Sequence, residues 1–311
     1  MGNIIMSLRK IDLAAPVFDK DSKIITTDSG QHSTEIAWQS ISCELVTPIH
    51  GGGVEARHSD ADLPIRVAAI RGQLRFWWRL LAQHKWKLKD IRKAEFALWG
   101  GMNDGDEGGG HASLVFLRVE MENKLQKAPL SDYAKNINDT LGYALFTARS
   151  TRTGLPEMKL GKEGLRWNLQ YCFDQKISDE QKEQVLETLR WWATLGGIGG
   201  RTRRGCGVFT VQGLNLVSEQ EMRDLGCEIL YPGNPENNAK AAWIDAIAAW
   251  KEKRREHKEA FRKLLGKNDE HSRPLATVFS RPVYDGSQWR AMVLMLPNSS
   301  QEVKNILGKT K

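Results

Sequence analysis

The chain has 311 residues, 41% of them hydrophobic and 27% charged, a composition that excludes a disordered polymer, and its length exceeds the roughly 250–300 residues at which one core stops growing. Lys+Arg 45 against Asp+Glu 38 gives a net charge of +7 and a pI near 9.2, which favours an acidic partner such as nucleic acid. Cys43, Cys172, Cys206 and Cys227 show neither a CxxC pair nor metal-ligand spacing, so a disulfide framework and a zinc ribbon are excluded and a reducing cytoplasm fits.

The first residues read as a peripheral strand or arm ending in the polar stretch Thr26-Asp28-Ser29-Gly30-Gln31, with no long apolar run, so no membrane attachment is expected. From Ser40, Ile41, Cys43 and Leu45 alternate with polar residues, the period-two pattern of a half-buried strand that Pro48 and Gly51-Gly52-Gly53 end. After a polar loop through His58 and Asp62, the spacing of Ile70, Leu74, Trp77, Trp78 and Leu81 predicts an amphipathic helix. A short helix through Ile91, Phe96 and Leu98 leads into Trp99-Gly100-Gly101, a Gly/Asp-rich loop to Gly110, and a strand from Leu114 to Val119. An apolar segment at Leu141–Phe146 opens the second half, and Leu165, Trp167, Leu169, Tyr171 and Phe173 alternate as a second clear strand. A helix from Asp179 follows, with Val185, Leu186, Leu189, Trp192 and Leu195 on one face, then Gly196-Gly197-Ile198-Gly199-Gly200 and a strand from Val208 to Val211. The order helix, glycine loop, strand thus occurs twice. It predicts an α+β protein of two tandem ferredoxin-like (RRM-like, βαββαβ) domains with glycine-rich loops: 1–133 with an N-terminal extension, and 134–311 with an inserted charged helix at 239–265. Ala291 to Leu296 reads as a last strand after the turn at Tyr284-Asp285-Gly286, and the tail after Pro297 as polar and loose.

Three segments carry candidate chemistry. In the first helix, about 100° per residue places Arg71, Arg75 and Arg79 in a stripe beside the apolar edge of Leu74 and Trp78, where guanidinium forks can bind phosphate or stack on bases. Solvated stems covering apolar surface are the alternative. In Gly196–Gly207, Arg201, Arg203 and Arg204 sit among glycines that let backbone approach a ligand closely. Gly200 to Gly205 has the Walker spacing, but Cys206 stands where its Lys should be and the loop runs from helix to strand, the reverse of a P-loop, so nucleotide hydrolysis is not expected. Third, Thr47-Pro48-Ile49-His50-Gly51-Gly52-Gly53 ends a strand in glycine, and His50 could serve as acid or base on a phosphate. Asp104 and Asp106 lack an EF-hand pattern. Eleven Trp beside five Tyr suit either stacking on unpaired bases or core filling.

Together, Thr47-Pro48 with Gly51-Gly52, Arg66 with Arg71-Gly72-Gln73-Leu74-Arg75-Phe76-Trp77-Trp78-Arg79, Trp99-Gly100, and Gly199-Gly200-Arg201-Thr202-Arg203-Arg204-Gly205 resemble the motifs of the RAMP superfamily of CRISPR effector proteins, most closely the first RAMP subunit of type III-B Cmr complexes. The resemblance runs from about Cys43 to Gly207, with a weaker echo in Ser280-Arg281-Pro282. It implies a cytoplasmic, non-catalytic subunit of an antiviral ribonucleoprotein. Such a subunit contacts crRNA or captured single-stranded target RNA at the end distant from the 5′ handle, beside other Cmr RAMP subunits, without cofactor or metal. The residues expected at RNA are His50, Arg66, Arg71, Arg75, Trp78, Arg79, Arg201, Arg203 and Arg204, with Gly51, Gly52, Gly72, Gly199, Gly200 and Gly205 admitting phosphate. Two alternatives remain: a RAMP-type endoribonuclease that processes CRISPR RNA with His50, and a scaffold subunit whose arginines bind protein carboxylates.

Overall fold

The alternation that begins at Gln39 builds β1 (Gln39–Leu45), with Ile41, Cys43 and Leu45 facing inward. In chain order there follow α1 (Val67–His84), α2 (Ile91–Trp99), β2 (Val115–Met121), β3 (Lys127–Ala128), α3 (Thr140–Ala144), β4 (Leu160–Gly161), β5 (Arg166–Phe173), α4 (Asp179–Leu195) and β6 (Phe209–Gln212). The rest comprises α5 (Glu219–Asp224), β7 (Glu228–Leu230), α6 (Ala239–Glu256), β8 (Val278–Tyr284), β9 (Trp289–Met295) and α7 (Gln301–Leu307). This computed structural model describes residues 37–51, 53, 59–60, 62–101, 110–136, 138–151, 154–260 and 277–307. The chain divides into two units, Met1–Trp38 and Gln39–Lys311, and the elements of the described residues lie in the second. The N-terminal arm, Gly52, His58, the acidic part of the loop with Asp104 and Asp106, and the end of the charged helix toward 265 fall outside the described residues.

Four strands form an antiparallel sheet in the order β2-β5-β1-β6. With α1 joining β1 to β2 and α4 joining β5 to β6, the path is one βαββαβ circuit. The boundary expected at 133/134 runs through this sheet: β1 and β2 precede it, β5 and β6 follow it, and β5 inserts between β2 and β1. The repeated order of helix, glycine loop and strand therefore belongs to the two halves of a single circuit. Neither half could bury its apolar strand face without the other, since β5 pairs with both β1 and β2. A second antiparallel sheet has the order β7-β9-β8 and is packed by α6. Its path of β7, α6, β8, β9 and α7 repeats the first, with no fourth strand among the described residues. Two complete tandem βαββαβ domains are thus not what the described residues form. The tail after Pro297, expected to be loose, folds into α7, whose Val303, Ile306 and Leu307 are buried.

The inner face of the first sheet, with Trp167, Leu169 and Phe209, packs against the apolar stripes of α1 and α4. Trp77 and Trp191 meet across the two helices with ring centroids 6.2 Å apart. α4 starts at a full capping box: Ser178 accepts from the Gln181 N–H while the Gln181 side chain accepts from the Ser178 N–H. Eight tryptophans, Trp77, Trp78, Trp99, Trp167, Trp191, Trp192, Trp243 and Trp250, are buried, so core filling accounts for most of the unusual count. The outer face is a hydrogen-bonded polar layer, in which Ser42 donates to Asn168, Asn168 to Glu122, and Gln170 to Glu120. Among the described strand residues Phe116 on β2 is the one aromatic on this face, beside Arg118 and Glu120, where an RRM sheet stacks two or three bases on its aromatics. Among the described residues no helix is long and apolar enough to cross a membrane.

Candidate nucleic-acid interface

The three motifs converge. The segment after β1 pairs with the glycine loop after α4: the Gly200 N–H donates to His50 O at 2.8 Å, the Gly207 N–H to Pro48 O at 2.9 Å, and the Val208 N–H to the buried Thr47 hydroxyl at 2.8 Å. Gly199 and Gly207 have φ of +76° and +66°, the left-handed region that favours glycine. A Cβ at Gly207 would also run into the Ile198 carbonyl. From α1, the Gln73 side-chain amide grips Gly197 by both backbone groups, accepting its N–H at 3.2 Å and donating to its carbonyl. Strand end, helix and loop thus form one junction.

The arginines of α1 and of the loop occupy different surroundings. Arg75 and Arg79 both donate to Glu95 Oε1 at 2.6 Å, and this carboxylate is buried between α1 and α2. Arg71 donates to Ser113 Oγ at 2.6 Å and to Val115 O at 3.2 Å, and burial lowers its pKa. The stripe expected to meet phosphate therefore ties α1 to α2 and β2, although Arg79 keeps 47% of its side chain exposed. Trp78 is 1% exposed and packs beside Trp86, so the ring expected to stack on a base has no free face.

Arg201, itself left-handed with φ of +57°, donates to the Ala144 and Tyr143 carbonyls and lies over Phe146 at 4.7 Å from the ring centroid. Arg204 donates to Val278 O at 3.0 Å, lies 3.8 Å over Trp250, and is pushed down to about 10 by burial. Arg201 thus fastens the loop to α3, and Arg204 fastens it to β8 and α6. Arg203 alone of the three points outward. His50 Nε2 is 2.8 Å from Thr147 Oγ1. Gly51 has φ of +63°, and Gly205 has φ of +77° with Trp243 where a side chain would stand.

What remains open to a ligand is the other flank of α1. There Arg66, Ala69, Gln73 and Phe76 face the glycine loop across a groove, opposite the Arg71-Arg75-Arg79 flank. At 1.5 Å per residue the groove follows α1 for about 15 Å. Near its start lies a cavity of about 210 Å³ lined by Arg66, Ala69, Gln73, Ile198 and Gly199. Arg66 is the N-cap of α1 and donates to Gly53 O at 3.3 Å, and no side chain caps the helix there and no acidic residue stands in its first turn. The N–H groups of the first turn and the positive end of the helix dipole thus face the same space as a guanidinium, a setting that favours an anion.

Three residues beyond the sequence motifs or unassigned within them shape this site. Gln73 fixes the loop and Phe76 is exposed on the groove, and a helical wheel could have revealed Phe76 because it lies about 200° from Leu74 on the polar side. The third, Arg281 on β8, is 1% exposed and donates to the Leu195 and Gly196 carbonyls at the end of α4, where the loop begins. Burial pushes Arg281 down to about 9, which leaves it charged at neutral pH.

Comparison with known proteins agrees with the motifs. The model of the RAMP superfamily matches residues 42–210, almost the span of the first βαββαβ circuit. The CRISPR system Cmr subunit Cmr1-2 of Pyrococcus furiosus is 25% identical over 184 residues, covering 54% of this chain and 92% of that protein. The crystal structure of Cmr1 from Pyrococcus furiosus in its apo form superposes with a TM-score of 0.54 at 16% identity over 83% of this chain and 87% of that one. A chain of the type III-B Cmr-beta complex bound to cognate target RNA and AMPPnP gives 0.51 at 12% identity, over 86% and 97%. At these identities the two structures attest the fold alone. The match to more than half of its length, a span that contains the Thr47-Pro48, Arg66–Arg79 and Gly196–Gly207 motifs, shows that the chain belongs to the RAMP superfamily.

Proposed function

We propose that this chain is a non-catalytic subunit of a type III-B CRISPR effector ribonucleoprotein of the Cmr kind, holding single-stranded crRNA or captured target RNA in the groove between α1 and the glycine loop, in company with other Cmr RAMP subunits. The observation that carries the reading is the junction itself: the three RAMP motifs meet at one groove, which starts at an uncapped helix N-terminus beside Arg66. Similarity to Cmr1-2 and to a chain of a Cmr complex solved with cognate target RNA supports the partners. The non-catalytic role is supported by His50, the candidate acid or base, whose Nε2 lies against Thr147. The polar outer sheet face supports the groove over an RRM-type sheet platform.

The test is reconstitution with the other subunits of a type III-B Cmr complex. The chain should enter the complex, and Arg66→Ala should weaken RNA capture and flatten its log-log salt dependence by roughly 0.7, the share of one phosphate on a single strand. Failure of the wild-type chain to join the complex would refute the assembly role. Cleavage of labelled repeat RNA by the purified chain that vanishes in His50→Ala would replace this reading with the endoribonuclease.

A further inference from the structure

Beyond Gln73 the groove opens into a cavity of about 240 Å³. Its floor is aromatic, with Trp77 and Phe279 ring centroids 5.8 Å apart. One wall is Phe76, 37% exposed and edge-on to Trp77 at 5.1 Å; the other holds Thr202 and the outward-pointing Arg203. One helical turn before Phe76 stands Gly72. Glycine weakens a helix interior relative to alanine, and most of the other described glycines have a left-handed φ or an atom where a side chain would stand. Gly72 has neither explanation: its conformation is helical, and a Cβ there would find nothing within 4 Å. Without a side chain, Gly72 leaves open the wall beside an exposed aromatic ring and a cation.

We infer that this cavity is a nucleotide subsite, taking one unpaired base of single-stranded RNA against the exposed face of Phe76, with Arg203 on the adjoining phosphate and Gly72 admitting the backbone; this rests on the reading of the junction as RNA-binding. The dimensions suit it: a cavity of about 240 Å³ lies just below the roughly 300–1,000 Å³ of pockets for drug-sized ligands, a size for one ring-sized group. Every base has a π-face, so stacking on Phe76 holds a base of any sequence. The arrangement also separates two contributions, since stacking on Phe76 carries no charge while Arg203 contributes only through charge.

The test measures binding of labelled single-stranded RNA of mixed sequence to the full chain by fluorescence anisotropy across a salt series. Phe76→Ala should weaken binding by about five- to 150-fold, the range of one stacked base, with an unchanged salt slope, and Phe76→Trp should restore it. Arg203→Ala should weaken binding and flatten the slope by roughly 0.7. Gly72→Leu, which adds helix propensity at a position where a Cβ meets nothing within 4 Å, should raise the melting temperature and yet weaken binding, so loss of fold cannot explain the result. If Arg66→Ala lowers affinity while Phe76→Ala and Gly72→Leu bind as wild type, the subsite is refuted and the RNA-binding reading stands. If the wild-type chain binds no RNA, both fall.

Discussion

Replacing Arg281 with methionine should destabilise the protein more than any other single arginine change at the junction. The guanidinium is buried without a carboxylate within ion-pair distance among the described residues, and it satisfies the Leu195 and Gly196 carbonyls at the C-terminal end of α4. Three contributions are lost together: hydrogen bonds from a charged donor, net about 1.5–3 kcal/mol each; the favourable placement of a cation at a helix C-terminus, up to ~2 kcal/mol; and the pairing of two buried carbonyls, each costing about 1–3 kcal/mol when unmet. These overlap, and methionine recovers some packing, so the expected loss is about 3–5 kcal/mol. At roughly 2–4 °C per kcal/mol for a domain of this size, the melting temperature should fall by about 6–20 °C in scanning calorimetry. Arg281→Lys keeps the charge but not the fork, and should fall between. A methionine variant that melts within about 2 °C of wild type would refute the role of Arg281 as the clasp between β8 and the start of the glycine loop.

Arg204→Ala should cost about 2–3 kcal/mol, because it removes the bond to Val278 O and the cation over Trp250, whereas Arg203→Ala should stay within ±0.5 kcal/mol; calorimetry on the pair separates them. Thr47→Val should lower stability by about 1–2 kcal/mol in urea titrations, since the buried Val208 N–H loses its acceptor. Burial raises the pKa of Glu187, but Lys85, Arg190 and Trp191 outweigh it and hold the carboxyl below its ordinary value. A carboxyl depressed in the folded state contributes stability that is present above its unfolded value and lost as pH falls through the folded one, so wild type should lose stability below about pH 4.5, and Glu187→Gln should show a shallower loss in acid titrations followed by circular dichroism.

The elements with a clean period were legible in the sequence. β1 and β5 alternate, and α1 and α4 carry continuous apolar stripes, so each appears where the pattern places it. The order of strands was not legible, because the pairing of β5 with both β1 and β2 is a long-range choice that local patterns do not encode. β8 escaped because Arg281-Pro282 interrupts an apolar run. The sheet tolerates the proline at an edge strand, and the arginine is buried through its contact with α4. At the site, the structure brings the motif segments to one junction, which the motifs by themselves did not predict, and the direction of their side chains was not legible either. Whether Arg75 faces phosphate or Glu95 depends on where α2 packs against α1, and Arg204 turns inward because α6 brings Trp243 and Trp250 beneath the loop. Phe76 was readable as an aromatic on the polar side of a helix.

The most direct measurement is ultraviolet crosslinking of single-stranded RNA to the chain in its reconstituted complex, followed by mass spectrometry of the peptides. The account predicts adducts on Phe76 of α1 and on the loop around Arg203, diminished in Gly72→Leu. Adducts confined to the outer sheet strands, or to the flank of Arg71, Arg75 and Arg79 with none at Phe76 or Arg203, would contradict it.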